Sequence, residues 1–385
     1  MTSRDAAARA VSSWPERDKT RLRVLTVGGA MIDTIAIIAN TAIERMSLLN
    51  AESSFLLLEE GRKTEALEVS THCGGGAINA AVALARLGHD CSVLIKLGDD
   101  LRAEQILARL DSESVSHRWA SRDKAFPTGA SVLLSSHDRN AAVFTFRGAN
   151  TQLVPRDFPD AAFAVDLVYI ANLSNEAAIY FPTIVTKAKQ AGALVAANPG
   201  PRQLHAHGDA FRAMLPHIGI LALNRREAQE VIPILDGRDS DNDTRLAFPH
   251  MVQPPPLAEN GFQHHGRTTS VRGFLRALIA CGVGTAVLTD GRDGAFAASA
   301  GRLFYCPASD ARVAGTAGAG DAFASTFSAY IAEGAEPDVA IRAATLNAAS
   351  VLEHVDTQTG LMRRQEIAQA LDGRKPTPNV IDWPL

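Results

Sequence analysis

Long apolar runs, clustered cysteines, a dominant charge and internal repeats are all missing from this chain of 385 residues. No stretch approaches the ~20 consecutive apolar residues that cross a bilayer, so a helical membrane protein is not expected. Cys73, Cys91, Cys281 and Cys306 are scattered with no C-x-x-C among them, which argues against a disulfide framework or a zinc site and fits free thiols in a reducing cytosol. The formal charge of −4, with 21% charged residues, supplies neither a polyanion-binding field nor an acidic tail, so nucleic acid is not an expected partner. Residues 1–21 mix charges of both signs (Arg4, Asp5, Arg9, Glu16, Arg17, Asp18, Lys19) and lack an apolar core, so they read as a flexible leader and not a signal peptide. Also absent are the loop G-x-x-x-x-G-K-[ST] and the protein-kinase signature set, which sets aside those two phosphate-handling architectures.

What is present is a body of alternating segments. Strand-like runs at 23–28, 91–97, 167–171, 193–197, 218–223 and 284–289 interleave with helical patterns near 77–87, 102–110, 176–191, 225–232 and 271–281, followed by 320–333 and 337–353. That alternation predicts an α/β fold with a mostly parallel sheet covered on both faces, and helices crowding the C-terminal third. Two stretches break it, 34–72 and 126–147; in the second, Ser131–Leu134 and Ala142–Phe146 flank His137-Asp138-Arg139-Asn140 as a hairpin. Residues 235–270 are polar and proline-rich and read as an inserted surface loop. Its His250, His264 and His265 lack a paired cysteine or spaced carboxylate, which favours a solvated loop over a metal site. The tail at 373–385 carries no signal.

Three glycine turns stand out. Gly315-Thr-Ala-Gly-Ala-Gly-Asp-Ala-Phe323 enters a segment with Phe323, Phe327, Tyr330 and Ile331 at helical spacing, which puts Asp321 in a first helical turn. Gly318 and Gly320 let backbone approach an anion at that turn, where free N–H groups favour phosphate, and Asp321 is placed to take a proton from an attacking hydroxyl; an ordinary turn capped by Asp is the plain alternative. Upstream, Cys73-Gly74-Gly75-Gly76-Ala77-Ile78-Asn79 opens a helix with Ala80, Ala81, Leu84 and Leu87 on one face and Gly88 as its C-cap. Three successive glycines cost backbone entropy, so a ligand or another backbone is expected close to residues 74–76, with the Asn79 amide aimed at a ligand; glycines kept for helix–sheet packing remain open. Finally, Val24–Val27 ends at Gly28-Gly29, and Asp33 follows just past the carboxyl end of that strand, either at a ligand or in a solvated loop.

With these motifs the chain resembles the PfkB family of carbohydrate kinases, which have the ribokinase-like fold. Gly74–Gly88 resembles the family's N-terminal signature and Gly315–Phe323 its C-terminal one, in order and separation. Gly98-Asp99-Asp100, Pro127-Thr128-Gly129, Arg147-Gly148-Ala149-Asn150, Asn198-Pro199, Asn224-Arg225-Arg226-Glu227 and Thr289–Gly294 agree as intervening landmarks. The resemblance covers residues 22–372. It implies a three-layer fold with a central mostly parallel sheet and a small β-sheet lid from about 34–72 and 126–147, through which two copies can pair. It implies transfer of the γ-phosphate of ATP, with Asp321 as general base and the N–H groups of Gly318, Ala319 and Gly320 as the anion hole. On the sugar side it implies Asp33, Asn79, the backbone of Gly75 and Gly76, and Arg147, which reads equally as a surface residue. On the nucleotide side it implies Asn224 and Glu227 organising Mg²⁺ through water, Thr289, Gly291 and Gly294 along the phosphates, and Asn347 near the adenine. Where many members have Asp, this chain has Gly315, and Asp356 stands where Gly is common; both put a monovalent-cation site in doubt.

The acceptor stays open between a small sugar, which is preferred, and adenosine or another nucleoside, whose base Phe126, Phe144, Phe146 or residues 34–58 would clamp. A keto-deoxy acid would want a cation, for which Arg147 is the evident candidate. A catalytically silent sugar- or nucleotide-binding sensor is the reading from another class.

Overall fold

The computed structural model describes residues 20–39, 44–47, 54–57, 61, 63–136, 141–235, 246–250, 252–264, 266–374 and 378–385. The leader up to residue 19, the hairpin tip His137–Asn140, the polar run Asp236–Asp243, His265 and parts of 34–72 lie outside them. A nine-stranded sheet runs in the spatial order β19 (Ile381–Pro384), β18 (Arg302–Cys306), β17 (Ala295–Ser299), β16 (Thr285–Thr289), β13 (Ile220–Asn224), β12 (Leu194–Ala197), β11 (Leu167–Ile170), β1 (Arg23–Val27) and β6 (Asp90–Leu94). From β16 to β6 neighbouring strands are parallel, while β17, β18 and β19 extend the sheet in antiparallel steps.

Both faces of the sheet are covered, which is why its parallel strands read as unbroken apolar runs. Val24, Tyr169, Ala222 and Val287 face a core shared with α1 (Gly76–Arg86), α2 (Leu101–Ser112), α8 (Ala319–Glu333), α9 (Pro337–Leu352) and α10 (Arg364–Gln369). Leu25, Val27, Val168 and Leu221 face a second core with α3 (Phe181–Gln190), α4 (Pro201–Met214), α5 (Arg225–Val231), α6 (Pro256–Asn260) and α7 (Val271–Ala280). Helix α1 seats closely because the residues it buries include Ala77, Ala80, Ala81 and Ala83, all fully shielded. Small side chains bring its backbone near α8, and the two signature turns meet as a result.

The second sheet is the lid, in the order β10 (Ala141–Phe146), β9 (Gly129–Ser136), β2 (Met31–Ile38) and β5 (Ala66–Gly74). Asp33, expected in a loop beyond the first strand, lies inside β2, level with Ser131 on one side and His72 on the other. Ser131 in turn pairs with Thr145. Because side chains alternate across a strand, Phe144 and Phe146 project to the face opposite Asp33. A hairpin of β3 (Glu44–Ser47) and β4 (Ser54–Leu57) and the pair β7 (Lys96–Gly98) with β8 (Ser121–Asp123) complete the region. The run 91–97, read as one strand, thus divides at Ile95 between two sheets.

Three further expectations need correction. The C-terminal third holds strands as well as helices: β17 and β18 form a hairpin whose turn, Ala300-Gly301, has φ of 52° and 77°. The sequence of β17, Ala-Phe-Ala-Ala-Ser, has no β-branched residue to mark it as a strand. The tail supplies the edge strand β19, anchored where Trp383 Nε1 donates to the Ala247 carbonyl at 2.8 Å. The stretch read as a surface loop contains α6 and a hairpin of β14 (Phe262–His264) and β15 (Arg267–Thr269), with Leu257 and Phe262 buried and Phe262 against Phe274.

Candidate active site

The site forms where the lid, α1 and α8 converge at the carboxyl ends of the parallel strands. Gly318 caps α8 in the left-handed region at φ 81°, and a Cβ there would stand 2.6 Å from Cβ of Thr357, so only glycine fits. The next residues, Ala319, Gly320 and Asp321, form the first turn, where N–H groups have no acceptor within the helix. Asp321 Oδ2 accepts a hydrogen bond from Nδ2 of Asn79 at 2.8 Å. Asn79 is 3% exposed, and its Oδ1 accepts from Thr357 Oγ1 at 2.8 Å and Gln358 Nε2 at 3.1 Å. Its amide nitrogen, expected to point at a ligand, points at Asp321. Burial pushes the Asp321 carboxyl above the usual aspartate range; the Asn79 donor pulls it back and the nearby Asp33 charge adds to the rise.

The glycine turn answers the question its sequence posed, since what lies close to it is protein. Gly75 has φ 100°, and a Cβ there would be 2.5 Å from the Gly29 carbonyl oxygen, which accepts Ala77 N–H at 3.2 Å. At Gly76 a Cβ would stand 3.4 Å from Asp321 Oδ1, so the first and last signature turns touch. Asp33 accepts a short hydrogen bond from Ser131 Oγ and is also raised, chiefly by burial, against that bond and the His72 charge. Arg147, at the end of β10, donates from Nη1 to Ser174 Oγ at 3.1 Å. The structure therefore brings Asp33, Gly75, Gly76, Asn79 and Asp321 together, with Arg147 on the same side of the sheet ends.

A second cluster lies where β13 and β16 end side by side. Asn224 pairs in register with Thr289, and beyond Thr289 the turn holds Gly291 and Gly294 at φ 57° and 94°. Asn224 and Glu227 form a reciprocal cap: Asn224 Oδ1 accepts Glu227 N–H at 3.0 Å, and Glu227 Oε2 accepts Asn224 N–H at 2.8 Å. Burial pushes the Glu227 carboxyl up to about 7, over the opposing hydrogen bond from Asn224 and with the Asp321 charge adding to it. Asn347 belongs to neither cluster. It is fully buried, with Nδ2 donating to Thr326 Oγ1 at 2.7 Å and Oδ1 accepting Met362 N–H at 2.8 Å, so it fastens α9 to α8. At Gly315 a Cβ would come within 2.9 Å of the His354 carbonyl oxygen.

Several residues beside the site have contacts that the sequence did not reveal. Gln358, 3% exposed, donates to the Cys73 carbonyl as well as to Asn79 and accepts from Arg109 Nε, tying α2 and the glycine turn to the Asp321 support. Asp356 shapes that loop by accepting the N–H groups of Gln358 and Thr359, each at 2.8 Å. Tyr169 is fully buried on β11, its hydroxyl has no hydrogen-bond partner among the described residues, and the charges of Asp321 and Glu227 reach it. A tyrosine within a buried strand was the available signal, because its hydroxyl needs a partner. Asp290 Oδ2, beside the Gly291 turn, is likewise buried and unpartnered among the described residues. No three His, Cys, Asp or Glu side chains converge as a metal cage among those residues.

A model of the pfkB family carbohydrate kinases matches residues 35–254 and 258–364. A deoxyribokinase from Salmonella typhi is 24% identical over 328 residues, 84% of this chain and 94% of its own. Among solved structures, Arabidopsis thaliana ribokinase complexed with ribose and ATP superposes with a TM-score of 0.67 at 19% identity, over 91% of this chain and 99% of the other. Burkholderia thailandensis nucleoside kinase in complex with inosine gives 0.65 at 20% identity, over 92% and 100%. At these identities the structures establish the ribokinase-like fold. No helix among the described residues is long and apolar enough to cross a membrane.

Proposed function

The chain belongs to the pfkB family of carbohydrate kinases, and from that membership we propose that it transfers the γ-phosphate of MgATP to a hydroxyl of a small sugar with Asp321 as general base. The observation that carries the reading is the seat of the Asp321 carboxyl. It lies in the first turn of a 15-residue helix, beside acceptor-free N–H groups, with one oxygen held by Asn79. Asp321 takes the proton of the acceptor hydroxyl as that oxygen bonds to the γ-phosphorus, and the bond to the β–γ bridging oxygen breaks to release ADP. The N–H groups of Gly318, Ala319 and Gly320 offset the charge on the transferring group. Asp33 and the backbone of Gly75 and Gly76 bind the sugar; Asn79 acts in this reading by orienting the base.

Thr289, Gly291 and Gly294 line the phosphates. Asn224 and Glu227 suit a cation met through water, since a hydrated Mg²⁺ needs no dedicated cage and the unpartnered Asp290 oxygen lies beside them. When bound, Mg²⁺ neutralises charge on the triphosphate. Two copies pairing through the lid also belong to this proposal, supported by the exposure of Val69, Val132, Phe144 and Phe146. That exposed side is the one away from Asp33, so Phe144 and Phe146 do not serve as a clamp for a nucleoside base, and the sugar reading stands ahead of the nucleoside one.

The test is MgATP-dependent ADP release across pentoses, hexoses, sugar acids and nucleosides, beside an Asp321→Ala control. A sugar whose turnover falls by roughly 10²–10⁴-fold in the control is the expected result. Turnover of nucleosides alone would transfer the reading to a nucleoside kinase, and ligand binding with no turnover of any acceptor would leave a sensor.

A further inference from the structure

Beyond the same strand ends, a group of hydrogen-bond donors is left short of acceptors among the described residues. Arg147 is half-buried, yet among the described residues its guanidinium, with five N–H donors, makes a single hydrogen bond, to the neutral Ser174 hydroxyl. Arg202, exposed at the second position of the 14-residue helix α4, has no hydrogen bond or ion pair among the described residues and is free to turn toward a ligand. The two like charges disfavour each other: burial lowers the Arg147 pKa and the Arg202 charge lowers it further. Next along α4, Gln203 is 3% exposed; its Oε1 accepts Leu173 N–H at 3.1 Å, while its Nε2 is buried with no partner among the described residues. A half-buried guanidinium beside a like charge, next to an orphaned buried amide, is unfavourable unless something anionic completes the set.

These groups connect to the reaction centre through one segment, Ala171–Ser174. At Gly76, beside Asp321, a Cβ would touch Ala171 Cβ at 2.9 Å and Asn172 N at 4.0 Å. At Gly200, two residues before Arg202, a Cβ would stand 2.5 Å from Asn172 Oδ1, and Ser174 receives Arg147. Asn172 itself is part-buried and adds a side-chain amide without a hydrogen bond among the described residues. The sheet ends are thus polarised, with the carboxylates Asp33 and Asp321 on one side and, on the other, half-buried Arg147 with exposed Arg202 close enough for its charge to be felt.

We propose that the acceptor is an anionic sugar, whose carboxylate or phosphate sits between Arg147 and Arg202 with the Gln203 and Asn172 amides, while a hydroxyl remote from that group meets Asp321. The inference rests on the sugar-kinase reading and narrows it. Repulsion from Asp33 and Asp321 and attraction to the arginines fix which end of the substrate faces the transferring phosphate. Arginine suits the task because its planar fork binds the paired oxygens of either anion.

The experiment compares 2-keto-3-deoxygluconate and ribose 5-phosphate with ribose and fructose, on the full chain and its Arg147→Met, Arg202→Met and Arg147→Lys variants. One anionic sugar is expected to exceed both neutral ones in kcat/KM by roughly 100-fold, the scale of one or two charge-assisted contacts, and which anion it is separates carboxylate from phosphate. Each Met variant should raise KM for that sugar by roughly tenfold or more with a much smaller change in kcat, and Arg147→Lys should recover part of the loss. A neutral sugar turned over as well as both anionic ones, or Met variants that impair neutral and anionic sugars alike, overturns the proposal. A second arm measures binding of the same four probes to Asp321→Asn protein by calorimetry. Arginine-dependent binding of an anionic probe there supports the anion site even if no sugar is phosphorylated, a result that would remove the kinase reading alone; equal binding of all four, or none, overturns the anion site.

Discussion

Nδ2 of Asn79, on α1, stands 2.8 Å from Oδ2 of Asp321, on α8, and this one hydrogen bond joins the two glycine signatures across 242 positions of chain. It aims the proposed base and lowers its pKa against the rise that burial imposes. Asn79→Leu should therefore reduce kcat by roughly ten- to a hundredfold and move the acid limb of the kcat–pH profile to higher pH, because Asp321 would hold its proton longer. An unshifted acid limb in this variant would count against the orienting role.

Gln358 supports that pair from behind by bridging Arg109, the Cys73 carbonyl and Asn79. Gln358→Leu removes three hydrogen bonds and strands buried partners, so the denaturation midpoint should fall by the equivalent of about 2–5 kcal/mol. A midpoint equal to that of the parent chain would show that the hub is dispensable.

Burial pushes the Glu227 carboxyl up to about 7. Below that value it is neutral and organises a hydrated cation poorly, so the Mg²⁺ concentration giving half-maximal turnover should rise on acidification from pH 8 to 6, by up to roughly tenfold per pH unit. Glu227→Gln should need high Mg²⁺ at every pH, and its Mg²⁺ requirement should be flat with pH.

Gly75 combines φ 100° with a carbonyl oxygen 2.5 Å from where a Cβ would sit. Gly75→Ala should destabilise the fold by roughly 2–5 kcal/mol, from backbone strain and overpacking together, and thermal unfolding measures it. Gly76→Ala has no such φ, and its Cβ would press on Ala171 and approach Asp321, so turnover should suffer more than stability.

At Gly315 the chain has no carboxylate to hold a monovalent cation, and the His354 carbonyl lies 2.9 Å from where a Cβ would be. The rate should be the same in sodium and in potassium. Marked activation by potassium would show that other groups serve that purpose.

The sequence by itself determined the α/β alternation, the mostly parallel character of the central sheet, and the two glycine turns, one of which opens the helix of Asp321. These are local matters, since apolar periodicity, helix-start chemistry and glycine placement act within a few residues of chain. Tertiary structure alone decided the partners. Asn79 points at Asp321 and not outward because Thr357 and Gln358, some 280 positions away, occupy its other edge. Asn347 is buried between helices α8 and α9, Phe144 and Phe146 fall on the far face of the lid by strand register, and the tail becomes an edge strand because β18 offers it unpaired backbone. Arg202 and Gln203 lie about 55 positions from Arg147 and share no motif with it. Only the convergence of sheet ends brings them together, burying Gln203 and half-burying Arg147 while Arg202 stays exposed beside them.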